Sequence, residues 1–398
     1  MTDMLVMVSL DGLRGAALDD AAASIPTLRA LAARGTRARR VRPVFPSVTW
    51  PCHTTLVTGV RPARHGVLGN NVFDRASGTV VWHEGDRTDH RVAVETLWDR
   101  VHGAGGRVAS VCWPKTRGVA AIPDNIPEFL EQPLFEQHAS PALWRELRER
   151  ALPVDRYGEW SARHALTPMQ DWLTLEAALH VVATRAPRLL LVHFLALDAF
   201  EHEHGIASPE ARWALANVDM LLGRLVDGIE RLRGLDATTF LVFGDHGFVD
   251  VDTAHYPNQV LHAEGLVDLD AQGTVGGRRA WVATNGGAAH VYVLDGAPRT
   301  TLARLRERFA SLPGVSVVDG SGFKALGLPA AGEDATQGDL VLIAAPGVQF
   351  RGQATAEAAA RSPLYRATHG HHPDTPELGA ALVMAGPSIR EGVVLEDV

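Results

Sequence analysis

Cysteine is nearly absent: Cys52 and Cys112 are the two in 398 residues. No disulfide framework is being built, and a reducing compartment suits such a chain. An excess of basic charge is also missing, since 38 Lys and Arg stand against 46 Asp and Glu for a formal net charge of −8. That balance argues against a nucleic-acid-binding module or wholesale attachment to an anionic membrane. Long apolar runs are lacking too. Even Leu189–Leu197 is interrupted by His193, well short of the roughly 18 unbroken apolar residues of a membrane span. The first residues carry Asp3, no basic residue before Arg14 and no small-residue cleavage site, so no targeting segment is expected and the expected location is cytoplasmic. Repeats and low-complexity tracts are not found. What remains is ordinary globular composition, 46% hydrophobic and 21% charged, with one unusual count: 18 histidines. Metal or acid–base chemistry is the first place to look.

Short apolar runs alternate with helical patterns, the signature of an α/β protein. Strands are expected at Leu5–Leu10, Arg107–Trp113, Leu189–Leu195, Thr238–Gly244 and Ala381–Ala385. Helices are expected at Thr27–Ala33, Trp50–Thr58, Val92–Val101, Met169–Thr184 and Pro209–Leu232. Two stretches break this rhythm, one rich in Pro, Glu and Arg, the other in Gly turns and short strands. The expected organisation is a doubly wound core from residues 1–115, 165–255 and 365–398, with 116–164 and 256–364 as insertions forming a smaller cap.

Ligand-type residues follow the expected strands, where sites form in open α/β sheets. Asp11 leaves the first strand, in a setting that equally suits a turn former before Gly12. Asp198 and His202 are four apart, so one helical turn puts both on one side of a metal, whereas His204 points elsewhere. Asp245 and His246 lie between Gly244 and Gly247, glycines that are expected to let the backbone turn sharply. A carboxylate beside an imidazole suits zinc or a similar divalent ion. The stretch ATHGHHPD offers His369, His371 and His372, either as a solvated turn or as the source of one more ligand. Thr49, before Trp50 and Pro51, is either a helix cap or a metal-activated nucleophile whose developing charge meets the backbone amides of the helix start.

Taken in this order, the segments resemble the alkaline phosphatase superfamily, and within it the type I phosphodiesterase/nucleotide pyrophosphatase family. The resemblance covers roughly residues 4–115, 165–250 and 365–390. It implies an alkaline phosphatase-like central sheet and two divalent metal ions, most often zinc. Asp11, Thr49, Asp245 and His246 match the ligands of one ion; Asp198, His202 and His369 match those of the other. Thr49 matches the nucleophile, and a phospho-threonine intermediate is implied. Asn70 matches the phosphate-binding asparagine, with Asn71 as the fallback. The implied substrate is a small phosphate diester or nucleotide pyrophosphate; Trp50 is either a platform on which a nucleobase stacks or a core residue.

Two features depart from this pattern. Cys52 stands where the diesterases usually have Asn; with no C-x-P-x-R pattern around it, a sulfatase-type cysteine is not indicated. Lys115 and Arg117, in WPKTRG, resemble the basic pair with which phosphomonoesterase and phosphonoacetate hydrolase relatives grip extra phosphate oxygens. A monoesterase or phosphonate hydrolase is therefore the alternative reading, and a solvated basic pair at a strand end is the plain one.

Overall fold

Met4–Leu10 is the strand around which the chain is arranged. It pairs in parallel with Leu189–Phe194 on one side and Thr238–Phe243 on the other. Period-two alternation directs Val6, Val8 and Leu10 into one core layer, and Met7 into the layer on the opposite face. Both faces are buried, which is why these strands read as nearly continuous apolar runs. The computed structural model describes residues 4–82, 92–361 and 364–398. Its eight-stranded sheet runs, from one edge, Val393–Asp397, Gly35–Val41, Ala380–Ala385, Thr238–Phe243, Met4–Leu10, Leu189–Phe194, Val108–Trp113 and Asp124–Pro127. Only Ala380–Ala385 runs against the others in this sheet. The helices Pro26–Ala33, Thr167–Arg185 and Pro209–Arg233 cover the Val6 face. Val57 of Thr49–Thr58 and Trp98 of Leu97–Gly103 pack on the Met7 face.

The expected cap assignment for residues 116–164 is corrected. Asp124–Pro127 is an edge strand of the central sheet, and the helices Gln132–His138, Pro141–Glu149 and Tyr157–Ser161 pack into the main core. In Pro141–Glu149, Leu143, Trp144 and Leu147 form a buried stripe, while Arg145 and Glu149 are exposed. The charge on the outer face hid that stripe from a reading by composition. The Val92–Val101 helix also shifts: it begins at Leu97, behind a capping box in which Asp99 N–H donates to Thr96 Oγ1 and Thr96 N–H to Asp99 Oδ2.

Residues 280–344 build a sheet of their own. Ala280–Asn285, Ala288–Val293, Leu340–Ala344 and Val315–Asp319 pair antiparallel beneath the helix Thr301–Ala310, around Leu305 and Phe309. A three-stranded sheet joins Gly347–Phe350, Val249–His255 and Ala367–Thr368. Residues 1–3 and 83–91 of the expected core, and 362–363 of the second expected insertion, lie outside the described residues. Among the described residues, no helix is long and apolar enough to cross a membrane.

Candidate active site

Three neighbouring parallel strands carry ligand-type residues at their carboxyl ends. Asp11 follows Met4–Leu10, Asp245 and His246 follow Thr238–Phe243, and Leu189–Phe194 leads into the helix Ala196–His204 that bears Asp198 and His202. Adjacent strands open their loops at one edge of the sheet, so sequence segments far apart converge there. His369 arrives from Ala367–Thr368, and Thr49 is the first residue of the helix Thr49–Thr58. A cavity of about 580 Å³ is lined by Asp11, Thr49, Asn70, Asp198, His202 and His369, among others.

Asp11, Asp245 and His246 form one buried cluster. His246 Nε2 is 3.2 Å from Asp245 Oδ2, 3.4 Å from Asp11 Oδ1 and 3.4 Å from Thr49 Oγ1. Asp11 Oδ1 and Asp245 Oδ2 are buried with no hydrogen-bond donor among the described residues. Burial pushes the Asp11 carboxyl well above its usual range, and the charges of Asp245, Asp198 and Glu128 push it further. A divalent cation between these oxygens would meet the negative charge that the protein leaves uncompensated. The glycines on either side of the pair act differently from expectation. Neither adopts a left-handed turn; instead, a Cβ on Gly244 would lie 2.0 Å from the Leu13 carbonyl oxygen, and one on Gly247 2.2 Å from that of Glu377. They permit close approach of backbones.

Asp198, His202 and His369 form the second cluster. His202 Nδ1–H donates to the Ala367 carbonyl at 2.9 Å, and His369 Nδ1–H to that of Ser47 at 3.1 Å. Carbonyl oxygens only accept, so in the neutral rings both Nε2 atoms are bare. These two atoms face each other at 3.2 Å, with Asp198 Oδ1 at 3.6 and 3.5 Å. Facing lone pairs repel unless a cation sits between them. Burial first, and then neighbouring imidazoles, hold both rings well below the ordinary histidine range, which keeps them neutral and ready to ligate. The His246 and His369 rings stack at 3.7 Å and 12°, bringing the clusters side by side. The donor sets fit two divalent ions, one in each cluster.

Asn70 lines the same cavity, and its Oδ1 accepts from Trp50 N–H at 2.9 Å. The amide nitrogen, which has no partner among the described residues, remains as a donor. The helix start offers fewer backbone donors than expected, because Pro51 has no N–H and that of Cys52 is taken by the Val48 carbonyl. Asn71 is clamped: its N–H donates to Asn285 Oδ1 at 3.0 Å and its carbonyl accepts from Asn285 Nδ2 at 2.9 Å.

Two further readings meet a different arrangement in the structure. Trp50 is 4% exposed and does not line the cavity; it is buried with Pro51 and Cys52 in the first turn of the helix. Lys115 and Arg117 do not line the cavity either. The Lys115 ammonium sits 5.6 Å over the Trp50 ring and the Arg117 guanidinium 6.0 Å over that of Phe129, so both basic side chains lie against aromatic faces. Cys52 is buried, and burial pushes its thiol well up, consistent with a small packing residue. Of the histidine-rich loop, His371 donates through Nε2–H to the Val348 carbonyl at 2.8 Å, away from both clusters.

Several supporting residues gave no signal in the sequence. His193 Nε2 lies 3.1 Å from Asp11 Oδ2, and His53 Nδ1 3.5 Å from Asp245 Oδ2. Asp171, on the helix Thr167–Arg185, accepts from the N–H groups of Leu195 and Ala196 at 2.8 and 2.9 Å and so caps the Asp198 helix. Burial raises its carboxyl to about 7. His193, Asp171 and Asn285 stand in no motif, while His53 follows Pro51 and Cys52 in the segment that carries the resemblance. The burial of Leu189–Phe194 was the one available hint, since a histidine inside so apolar a strand needs polar partners.

Residues 5–373 match the family model for type I phosphodiesterase/nucleotide pyrophosphatase. The chain is 25% identical over 292 residues to an uncharacterized pyrophosphatase/phosphodiesterase of Schizosaccharomyces pombe, covering 70% of this chain and 50% of that protein. It is 26% identical over 258 residues to ectonucleotide pyrophosphatase/phosphodiesterase family member 1 of Rattus norvegicus, covering 61% and 24%. The chain thus spans half or less of the length of these curated relatives. Among solved structures, human ectonucleotide pyrophosphatase/phosphodiesterase 5 superposes with a TM-score of 0.70 at 15% identity, covering 100% of this chain and 91% of that one. The murine counterpart, in an inactive form in complex with AMP, gives 0.71 at 17% identity over the same shares.

Proposed function

The chain belongs to the type I phosphodiesterase/nucleotide pyrophosphatase family, with an alkaline phosphatase-like fold, and from that premise we propose that it hydrolyses phosphate diesters or nucleotide pyrophosphates through Thr49. The observation that carries this reading is the Thr49 hydroxyl, 3.4 Å from His246 Nε2, in the cavity lined by Asp11 of the first cluster and by Asp198, His202 and His369 of the second. Asp11, Thr49, Asp245 and His246 would hold one divalent ion, and Asp198, His202 and His369 the other. Bound zinc would supply positive charge that lowers the pKa of a hydroxyl or water and offsets charge on phosphoryl oxygens. Thr49, its hydroxyl proton released to water, attacks phosphorus through Oγ1, forming the Oγ1–P bond as the bond to the leaving oxygen breaks and that oxygen departs with the electron pair. Asn70, oriented by the Trp50 N–H on its oxygen, donates from its amide nitrogen to a nonbridging oxygen. Water then attacks phosphorus, and the Oγ1–P bond breaks to restore the threonine hydroxyl. AMP in the murine neighbour supports a nucleotide as the substrate class.

The test is kcat/KM on bis-p-nitrophenyl phosphate and on p-nitrophenyl phosphate, side by side, for zinc-loaded wild type and Thr49→Ala. The expected result is a strong diester preference, a loss of about a thousandfold or more in Thr49→Ala, and metal content mostly retained by elemental analysis. A monoester preference, or near-wild-type turnover by the variant, overturns the reading.

A further inference from the structure

We propose that a second cavity, apart from the active-site cavity, binds a small neutral heterocycle through a lactam edge, in which a ring N–H stands beside a carbonyl. This cavity, of about 420 Å³, lies where the segment after Met4–Leu10 meets the helices Ala196–His204 and Pro209–Arg233. Leu13, Arg14, Ala17, Leu197, Glu201 and Trp213 are among the residues that line it. Cavities of this size hold small ligands. The helix Ala196–His204 separates it from the active site: Asp198 and His202 line the one, Leu197 and Glu201 the other. Successive positions point about 100° apart around a helix, so one helix serves both cavities.

Glu201 is 3% exposed, and its Oε2 has no hydrogen-bond partner among the described residues. Its Oε1 lies 3.5 Å from Arg14 Nε, which is also buried without a hydrogen bond among them. An acceptor and a donor are thus left side by side on a cavity wall, where an unmade hydrogen bond is costly. Burial raises the Glu201 carboxyl to about 8, with Arg14 opposing and Asp250 adding to the rise, and a lactam edge serves both of its states. The carboxylate accepts from the ligand N–H while the Arg14 guanidinium donates to the ligand carbonyl. The neutral acid donates its O–H to that carbonyl and accepts the N–H on its other oxygen. The other ionisable residues lining the cavity, Asp20 and Arg212, are exposed and opposite in charge, so the lining calls for no net charge on the ligand. Leu13, Ala17 and Leu197 supply apolar walls. Trp213, 52% exposed, offers an aromatic face on which a planar heterocycle stacks.

The experiment is calorimetry of inosine and uridine, each beside its ring-methylated counterpart (1-methylinosine and 3-methyluridine), on wild type, Glu201→Met and Ala207→Trp. Ala207 is an exposed residue that lines the cavity, so a tryptophan there occupies the space without entering the core. Wild type is expected to bind one inosine or one uridine per molecule, and the two arms distinguish a purine from a pyrimidine. Methylation of the ring nitrogen is expected to weaken binding about tenfold or more, and Glu201→Met to do so by a similar factor. Ala207→Trp is expected to abolish binding. No binding of either nucleoside, equal affinity for the methylated forms, or binding retained in Ala207→Trp overturns the proposal. None of these readouts depends on turnover, so the hydrolase reading stands or falls separately.

Discussion

At the residue scale, the site depends on side chains that have no choice of orientation. Backbone carbonyls take Nδ1–H of His202 and His369, so both Nε2 atoms face one point. Asn285 does the same for the turn that bears Asn70, using its amide as a two-pronged clamp on Asn71. Asn285→Ala leaves a half-buried N–H and carbonyl of Asn71 without these partners, a cost of about 1 kcal/mol. Denaturant unfolding should show that loss, and kcat/KM on a diester should fall because Asn70 is no longer held in place. Unchanged activity would exclude a positioning role for Asn285. The residues of the two clusters were legible as motifs because each stands at or just after a strand: Asp11, Asp245 with His246 and His369 at strand ends, and the Asp198/His202 pair on the helix that follows one. Their supporters were not, since Asn285 and Asp171 act across more than twenty residues of separation and through backbone groups that any sequence supplies. Whether Trp50 stacks or packs stayed open in the sequence for a related reason. One residue of helix phase decides whether an aromatic side chain faces a cavity or a core.

At the scale of elements, most runs were legible because buried parallel strands and amphipathic helices carry strong patterns, as Met4–Leu10 and Pro209–Arg233 show. The helices of 116–164 were not assigned to the core, because their outward charge outweighs a narrow apolar stripe in any composition count. The short helix Pro62–His65 makes a pH-dependent attachment. His65 Nδ1 accepts from Val67 N–H at 3.1 Å, which leaves Nε2–H to donate to Thr55 Oγ1 at 3.0 Å. Burial, reinforced by the charge of Lys115, lowers this imidazole to about 4, and burial lowers His290 of the second sheet to about 4 as well. The unfolded chain binds a proton at each near pH 6.5 while the folded chain does not, so stability is complete above 6.5 and is lost as pH falls toward 4. At pH 5 the expected loss is about 2 kcal/mol for each residue. Urea unfolding of the metal-free protein at pH 7 and pH 5 checks this, and His290→Gln should flatten part of the dependence; an identical slope in that variant would refute the assignment.

At the scale of the whole molecule, one sheet edge gathers segments from residue 11 to residue 369, and bound ions would tie the strand ends, the Thr49 helix and the three-stranded sheet together. Three carboxylates among the cluster ligands, two of them on buried aspartates, make that edge a source of repulsion once ions are removed. Chelation is therefore expected to lower the melting temperature by about 5 °C or more, with zinc restoring it. A melting temperature indifferent to chelator would contradict metal binding at these clusters. The α/β class and the converging strand ends were readable from the alternation of runs. The path that brings Gln349, Arg351 and Tyr365 to the cavity was not, because it depends on how Gly347–Phe350 pairs with Val249–His255 across about a hundred residues. The central claim is a double displacement through Thr49, and the stereochemistry at phosphorus tests it most directly. Hydrolysis of a nucleoside diester made chiral at phosphorus should proceed with net retention, the product of two inversions at one centre. Net inversion would mean that water attacks the substrate directly, and would contradict the account.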